Sequence, residues 1–321
     1  MPAARPRPFA DDSFWNQPIA ADAPADPDSG RLIALLRRQV RRGAFHCNLD
    51  YWTIPVYEVD ETTPLRRVWQ RHIRPGESYL DKPFRMSPGF GMDVPIPDEA
   101  VPSREADAHL ALIDRRRGLV WDMWGVMRRE DSEWESFTGM RYALDGSGVF
   151  DPAQFPICDG ETIHAYGPSR APGVPAIAGL IMRDEVVAGE IPHRIAAASQ
   201  SVAFQRFVPP AVWTDGCVNG GIPEGAVLQL DPGYDASGLS RGAQVVVRAM
   251  QRYGLVMVDY CRGASIYGEG LWGRGGWDGV LEAGDLHGIG FDHFRILRLD
   301  GVVDRGDSVP PGGVPSAQGN V

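Results

Sequence analysis

The sequence has no long apolar run and almost no lysine, and each absence excludes a class of protein. No stretch approaches the ~20 apolar residues that a membrane-spanning helix needs, so we expect no membrane partner. Lys82 is the single lysine among 32 basic residues, and the arginines do not gather into one stripe. Because the formal net charge of the 321-residue chain is −10, nucleic acid is also a poor partner.

The cysteines are few and far apart in the sequence: Cys47, Cys158, Cys217 and Cys261. No Cys-x-x-Cys occurs, which argues against a zinc finger or a thioredoxin-like site. Their even number permits two disulfides in an exported protein, and buried free thiols are the alternative. The N-terminus has no apolar signal core. We therefore expect either a secreted protein whose leader is absent from this sequence or a cytoplasmic protein.

Glycine and proline are abundant, with 38 and 27 residues, and they are spread along most of the chain. This composition is typical of many short strands joined by turns. Apolar residues at helical spacing predict helices over 29–41 and 240–253, and a shorter helix is predicted over 183–189. We predict a mainly β fold, a β-sandwich or jelly roll with a few peripheral helices. The predicted organisation is an extended N-terminal arm (1–28), a single β-rich domain (29–300) and a disordered tail (301–321).

A predicted β-hairpin over residues 107–124 carries the most informative polar pattern. Side chains two residues apart on a strand share a face, which places Asp107 beside His109 and Asp122 beside Trp124. A carboxylate next to an imidazole can orient it and raise its pKa, so His109 is a candidate general base or acid with Asp107 behind it. Asp122 and Trp124 are candidates for binding a sugar. A hydrogen-bonded structural patch is the alternative.

A second candidate group surrounds the sequence Ile-Pro-His-Arg at 191–194. His193 or Tyr253 could be a second proton carrier, and Arg194 could position a substrate. A surface loop with solvated side chains is the alternative. Asp107, His109 and His193 could also bind a divalent metal with further ligands, for which the sequence offers His46, Asp93 and His164. Apart from that metal, we expect no cofactor.

The glycine-rich stretch 270–279 carries Trp272 and Arg274, which could stack on a sugar and clamp its polar groups. A loop held in the core by its tryptophans is the alternative. The stretch lacks the spacing of a phosphate-binding loop, and the signatures of serine hydrolases and zinc proteases are also missing. Glycosidases need two carboxyl groups ~5–9 Å apart. The candidates for such a pair are Asp93, Asp107, Asp122, Asp215, Glu224 and Asp259.

Several motifs make the chain similar to a family of largely exported proteins from actinomycete-type bacteria. The motifs that carry the resemblance are Ser13-Phe-Trp-Asn16, Asp107-Ala-His109, Leu119-Val-Trp-Asp-Met-Trp124, Pro175-Ala-Ile-Ala-Gly-Leu-Ile181 with Asp184-Glu185, Gly189-Glu-Ile-Pro-His193, Pro223-Glu-Gly-Ala226 and Gln251-Arg-Tyr-Gly-Leu-Val-Met-Val-Asp259. The resemblance implies one fold unit and an exported origin, and it implies no settled activity. Members usually begin with a leader, from which this sequence departs. A fainter likeness is to jelly-roll polysaccharide lyases, an analogy of fold.

These patterns together predict a carbohydrate-active enzyme that cleaves glycosidic bonds of a polysaccharide, as a lyase or a hydrolase. A lyase acting on a uronate polymer would need an arginine to neutralise the substrate carboxylate, and the acidic chain opposes such a substrate. The sequence therefore leaves a hydrolase as the alternative to a lyase. The alternatives are a non-catalytic glycan-binding or cell-envelope protein and the metal-dependent enzyme above. The expected partner is a poly- or oligosaccharide, and the sequence does not predict an oligomeric state.

Overall fold

The computed structural model describes residues 6–70, 94–130, 133–151 and 167–305. Strands account for 29% of the described residues and helices for 14%, and the strands form several sheets. This confirms the predicted mainly β, sandwich-like fold with few helices. Many neighbouring strands run parallel, among them the two at the centre of the largest sheet. No helix within the described ranges is long and apolar enough to cross a membrane.

The helices lie close to their predicted positions. They are α1 (Ser29–Gln39), α2 (Arg183–Ala188) and α3 (Arg241–Arg252), with short 3-10 helices at Phe14–Asn16 and Phe291–His293. The Ser240 hydroxyl accepts a hydrogen bond from the Ala243 N–H at 3.2 Å and so caps α3. Gly254 follows the same helix with φ 85°, a left-handed conformation that glycine adopts without steric cost.

The strands are short and numerous. In chain order they are β1 (His46–Asn48), β2 (Ile54–Glu58), β3 (Leu65–Arg66), β4 (Val68–Gln70), β5 (Val94–Pro95), β6 (Leu110–Asp114), β7 (Leu119–Trp124), β8 (Met127–Arg128), β9 (Trp134–Ser136), β10 (Thr138–Ala143), β11 (Ile195–Ser199), β12 (Val202–Phe207), β13 (Ile222–Glu224), β14 (Val227–Leu230), β15 (Leu255–Asp259), β16 (Ala264–Tyr267), β17 (Glu269–Gly270), β18 (Phe294–Ile296) and β19 (Val303–Asp304). The last of these pairs with β12, although it lies within the predicted tail.

Two sheets form the body of the molecule. The larger has the strand order β1-β16-β11-β15-β14-β18, and the second has the order β10-β7-β6-β2-β17. Smaller sheets are formed by β13-β12-β19, β3-β5 and β4-β9-β8. Alternating side chains let each strand serve two layers, because successive residues face opposite sides of a sheet. In β15, Leu255 and Met257 face one hydrophobic core, and Val256 and Val258 face another.

The cores stack as layers. The helices α1 and α3 pack on one face of the larger sheet. The opposite face packs against the second sheet, with Ala196 and Val256 meeting Val56 and Ala111. The outer face of the second sheet is covered by residues of β4, β5 and β9. The polar site described below lies at one end of the space between the two main sheets.

The N-terminal arm is tied to the body through Trp15, as its aromatic residues predict. The Trp15 side chain is buried, and its indole N–H donates to the Gly148 carbonyl at 2.8 Å. The Ser13 hydroxyl accepts a hydrogen bond from the Trp15 N–H at 3.2 Å and donates to the Ser147 carbonyl at 2.6 Å. The motif Ser-Phe-Trp-Asn therefore serves to dock the arm.

Candidate active site

The hairpin of β6 and β7 forms as predicted, with Leu110 opposite Met123 in an antiparallel pair. Its first strand begins only at Leu110, however, and Ala108 has a φ of 41°. An extended strand keeps φ negative, so Asp107 and His109 are not an alternating pair on one strand face. The prediction that they share a surface is corrected: Asp107 stays partly exposed, and His109 is buried.

Asp122 is fully buried between the two main sheets. Its carboxylate accepts hydrogen bonds from the backbone N–H groups of Ser169 at 2.7 Å and Ala176 at 2.6 Å, and from the Tyr142 hydroxyl at 3.2 Å. Burial raises the pKa of Asp122 to about 6, against these hydrogen bonds. Asp122 therefore fastens the segment 169–176 to β7. Its depth does not support the predicted contact with a sugar.

His109 lies beside this segment as a neutral imidazole. Its Nδ1 is 3.2 Å from the Ser169 hydroxyl, and its backbone N–H donates to the Ser103 hydroxyl at 2.8 Å. Burial and, secondly, the charge of Arg170 lower the pKa of His109 to about 3. An imidazole with so low a pKa is a weak base at neutral pH. The position therefore favours a structural role for His109 over the predicted proton transfer.

Arg170 occupies the centre of the buried polar region, with 3% of its surface exposed. One terminal nitrogen donates to the Ala176 carbonyl at 3.0 Å, and the guanidinium lies 4.6 Å from the centre of the Tyr267 ring. Its Nε and Nη1 have no hydrogen-bond acceptor among the described residues. Leaving charged donors unpaired in the interior is costly, so these nitrogens are candidates for binding a ligand oxygen.

Carboxyl groups from separate parts of the chain lie near one another, and one of them, Asp259, also interacts with Arg170. Asp259 ends β15, and its carboxylate accepts a hydrogen bond from the Tyr267 hydroxyl at 3.3 Å. Burial, followed by the charges of Asp215 and Asp107, raises the pKa of Asp259 well above its usual range, and Arg170 opposes this. The mutual repulsion shows that Asp107, Asp215 and Asp259 face a common region.

Asp215 and Glu224 form a carboxyl pair within this group. Glu224, on β13, is fully buried, and its Oε2 accepts a hydrogen bond from the Asp215 backbone N–H at 3.2 Å. Burial, with a smaller contribution from the Asp107 charge, raises the pKa of Asp215 to about 6, against the opposing effect of a hydrogen bond with Glu224. Burial and then the Asp215 charge raise the pKa of Glu224 well above its usual range.

Asp215 combines solvent exposure with a perturbed carboxyl group. Its side chain reaches solvent, and yet surrounding protein atoms raise its pKa. Asp107 is half-buried, and its carboxylate accepts the Trp124 indole N–H at 3.3 Å. Burial raises the pKa of Asp107, and this hydrogen bond opposes the rise. We call the group of Asp107, Arg170, Asp215, Glu224 and Asp259 the carboxyl recess.

His193, Arg194 and Tyr253 form a separate group. The imidazole of His193 is buried, with Nε2 3.1 Å from the Glu185 carboxylate and Nδ1 2.7 Å from the Arg194 carbonyl. The Arg194 guanidinium lies 3.9 Å from the Phe14 ring centre, and its Nε donates to the Tyr253 carbonyl at 3.3 Å. These contacts attach the N-terminal arm and α2 to the body.

The strand register separates that group from the carboxyl recess. In the parallel pair β11 and β15, Ile195 is opposite Leu255, and Ala198 is opposite Asp259. His193 precedes the first of these pairs, whereas Asp259 lies at the second. At about 3.3 Å per residue, the two groups are roughly 15 Å apart along the sheet. The predicted meeting of His109 and His193 in one groove is therefore not supported.

The two candidate residues of the glycine-rich loop, Arg274 and Trp272, have different surroundings. Arg274 lies against the Tyr57 ring, 4.1 Å from its centre, and donates to backbone carbonyls, so it packs against β2. The Trp272 indole N–H donates to the Asp50 carbonyl at 3.2 Å, and the Arg104 guanidinium lies 5.4 Å from the indole. Because Arg104 precedes Asp107 by three residues, Trp272 lies beside the segment that carries Asp107.

A metal centre finds little support in the described ranges, where no three His, Cys, Asp or Glu side chains are grouped to bind an ion. His46 pairs with His287 instead, 3.1 Å between ring nitrogens. The candidates Asp93 and His164 lie outside the described residues. Cys47, Cys217 and Cys261 are free thiols, and Cys158 also lies outside those ranges.

The sequence pointed to most of the carboxylates and missed the groups between them. The carboxyl recess brings together Asp107, Asp215, Glu224 and Asp259, all of which were candidates for a glycosidase pair. The central roles of Arg170, Tyr142 and Tyr267 were not predicted. A cavity of about 110 Å³ beside α1, lined in part by Asp28 and Arg31, is too small for a sugar-binding site.

Comparison with family models, curated proteins and solved structures finds no match. The functional argument therefore depends on the geometry of the carboxyl recess.

Proposed function

We propose that the protein is a carbohydrate-active enzyme that hydrolyses glycosidic bonds of a polysaccharide at the carboxyl recess. One observation carries the proposal: Asp215 and Asp259, carboxyl groups from distant parts of the chain, repel each other and have raised pKa values, and Asp259 lies beside the buried Arg170, two of whose nitrogens have no acceptor among the described residues. Such a group is costly to fold. Perturbed ionisable groups that share a recess are typical of catalytic sites.

Glycoside hydrolysis requires one protonated and one ionised carboxyl group. We assign Asp215 as the proton donor, because its pKa is raised to about 6 and its side chain reaches solvent. Fully buried Glu224 holds the Asp215 backbone and is a positioning residue. We assign Asp107 as the ionised partner, because the Trp124 indole N–H stabilises its charged form.

In the reaction, Asp215 donates its proton to the glycosidic oxygen while the bond from that oxygen to the anomeric carbon breaks. A water oxygen bonds to the anomeric carbon, and Asp107 accepts the proton that the water loses. The unpaired Nε and Nη1 of Arg170 are available to sugar hydroxyl oxygens. Solvent exchange then restores both carboxyl groups to their starting states.

Hydrolysis is favoured over β-elimination by the sign of the charges. A lyase acting on uronates must bind an anionic sugar, and the ionised carboxylate of Asp107 would repel it. Arg170 offers one positive charge, which already interacts with the carboxyl groups of Asp259 and Asp122. A neutral sugar meets no such repulsion. Elimination nevertheless has its own product, an unsaturated sugar that absorbs near 235 nm, and the test below includes it.

The test is incubation of the purified protein with a panel of polysaccharides, reading both new reducing ends and absorbance at 235 nm. We expect reducing ends without absorbance, and a loss of about 10²–10⁴-fold in rate for Asp215→Asn and for Asp107→Asn. The matched control is Asp22→Asn, an exposed carboxyl group outside the recess. Wild-type rates in Asp215→Asn, a 235 nm product, or glycan binding without cleavage would each overturn the proposal.

A further inference from the structure

Two adjacent aromatic side chains project from the loop between β1 and β2. Tyr51 is 64% exposed and Trp52 is 52% exposed; among the large apolar side chains of the described ranges, only the isolated Leu65, at 58%, is similarly exposed. Single exposed apolar residues need no explanation. Two consecutive large aromatic side chains in solvent are a different case, because such rings usually bury most of their surface.

The backbone at Trp52 is held in an unfavourable conformation. Its φ is 54°, a left-handed value that is sterically unfavourable for a residue other than glycine. The loop is fixed on both sides: the Asn48 amide donates to the Trp52 carbonyl at 3.2 Å, and the Thr53 hydroxyl donates to the Gly268 carbonyl. Glycine would satisfy this backbone without strain. The sequence instead presents an indole to solvent, and strain of this kind is concentrated at functional sites.

The aromatic pair is continuous with the carboxyl recess. The Asp50 carbonyl, just before Tyr51, accepts the Trp272 indole N–H at 3.2 Å. The Arg104 guanidinium covers the same indole at 5.4 Å, and Arg104 leads directly into the segment that carries Asp107. Contacts therefore run from the exposed loop through Trp272 to the edge of the proposed active site.

We propose that Tyr51, Trp52 and Trp272 form an outer subsite on which further pyranose rings of the same polysaccharide stack. This inference rests on the proposed function, because the recess defines where the chain is cleaved. The C–H faces of a pyranose ring pack on an indole or phenol ring, and the exposed Asp50 and Arg104 side chains at the edge can bind hydroxyl groups. The occupant is a neutral polymer that extends beyond the cleaved bond, not a mono- or disaccharide.

The sharpest variant is Trp52→Gly, which removes the indole and relieves the backbone strain together. The variant should fold with unchanged or higher thermal stability, so a loss of binding cannot be attributed to unfolding. The matched control is Leu65→Ala, which shortens an exposed apolar side chain on β3. Binding is measured by affinity electrophoresis in soluble β-glucan, xylan and galactomannan, with the Asp215→Asn substitution in every protein to prevent cleavage.

We expect Trp52→Gly to weaken binding of the retained polymer at least tenfold, and Leu65→Ala to leave it unchanged. In the active background, Trp52→Gly should raise KM for the polymer and leave kcat unchanged. Equal retention of Trp52→Gly and its parent overturns the subsite, even where Asp215→Asn has abolished cleavage. Retention that depends on Trp52 without any cleavage supports the subsite and overturns the proposed function. If none of these polymers is retained or cleaved, both proposals are overturned.

Discussion

Acid should destabilise this protein through the buried imidazole of His109, and the variant His109→Gln should be free of that contribution. The pKa of His109 is lowered from 6.5 to about 3 in the folded protein, first by burial and then by Arg170. Between these two values the unfolded chain binds a proton that the folded protein does not. Stability therefore falls as the pH falls from about 6.5 to 3. Glutamine is neutral throughout and can still hydrogen-bond to Ser169.

The magnitude follows from the size of the shift. Each pKa unit corresponds to about 1.4 kcal/mol, so His109 should lower the free energy of unfolding by about 3 kcal/mol between pH 7 and pH 4. Asp122 acts in the opposite direction, because burial raises its pKa to about 6. The folded protein then binds the proton first, and acidification stabilises it by about 2 kcal/mol over the same interval. The wild-type curve alone would hide both contributions.

Comparing the two proteins isolates the contribution of His109, since Asp122 is present in both. Urea unfolding, followed by tryptophan fluorescence at pH 7 and pH 4, should show that the wild type loses about 3 kcal/mol more than His109→Gln. Parallel changes in the two proteins would refute a neutral, buried imidazole. His109→Gln should also keep glycan cleavage within tenfold of the wild-type rate. A loss of several hundredfold with intact stability would restore His109 as a catalytic base.

Two further predictions concern the supporting contacts. Asp122→Asn would turn an amide N–H₂ toward the backbone N–H of Ser169 or Ala176 and leave buried donors unpaired. Thermal unfolding should therefore show that the free energy of unfolding falls by about 1–3 kcal/mol. An unchanged melting temperature would contradict this account. Burial lowers the pKa of His193, but Glu185 more than offsets that and raises it overall. Wild-type stability should therefore fall as the pH rises above 6.5 through the pKa of His193 in the folded protein, and Glu185→Gln should lack this decline. Equal slopes of melting temperature against pH in the two proteins would argue against the ion pair.

Local sequence patterns predicted the elements of the fold well. Helical spacing of apolar residues located α1 and α3, and the hairpin of β6 and β7 followed from two β-rich runs around a turn. The short helix α2 was also predicted, and the structure adds that it ends at a left-handed Gly189. These signals depend on a few neighbouring residues, which is why they could be interpreted without knowledge of the tertiary structure.

The candidate site could be predicted only in part, because its geometry depends on long-range contacts. The expected pairing of Asp107 with His109 assumed an extended strand, and the positive φ of Ala108 breaks that rule. Strand order decides which carboxylates meet: Asp259 reaches the recess because β15 ends there, and His193 does not because β11 begins at the opposite end. A carboxylate directly after a buried apolar strand was the one local signal for Asp259.

The contrast between the buried His193 and the carboxyl recess argues for the location of the proposed active site. His193 and Glu185 neutralise each other, and both ring nitrogens of His193 have partners, so that group has the features of a completed structural contact. The carboxyl recess has the opposite character. Arg170 keeps unpaired donors, and the carboxyl groups of Asp215 and Asp259 repel each other. A contact selected for stability alone would not retain this arrangement, since neutral residues would be less costly. Binding a neutral substrate with hydroxyl groups would satisfy the arginine donors and use the raised pKa values, which is why we place glycosidic cleavage there.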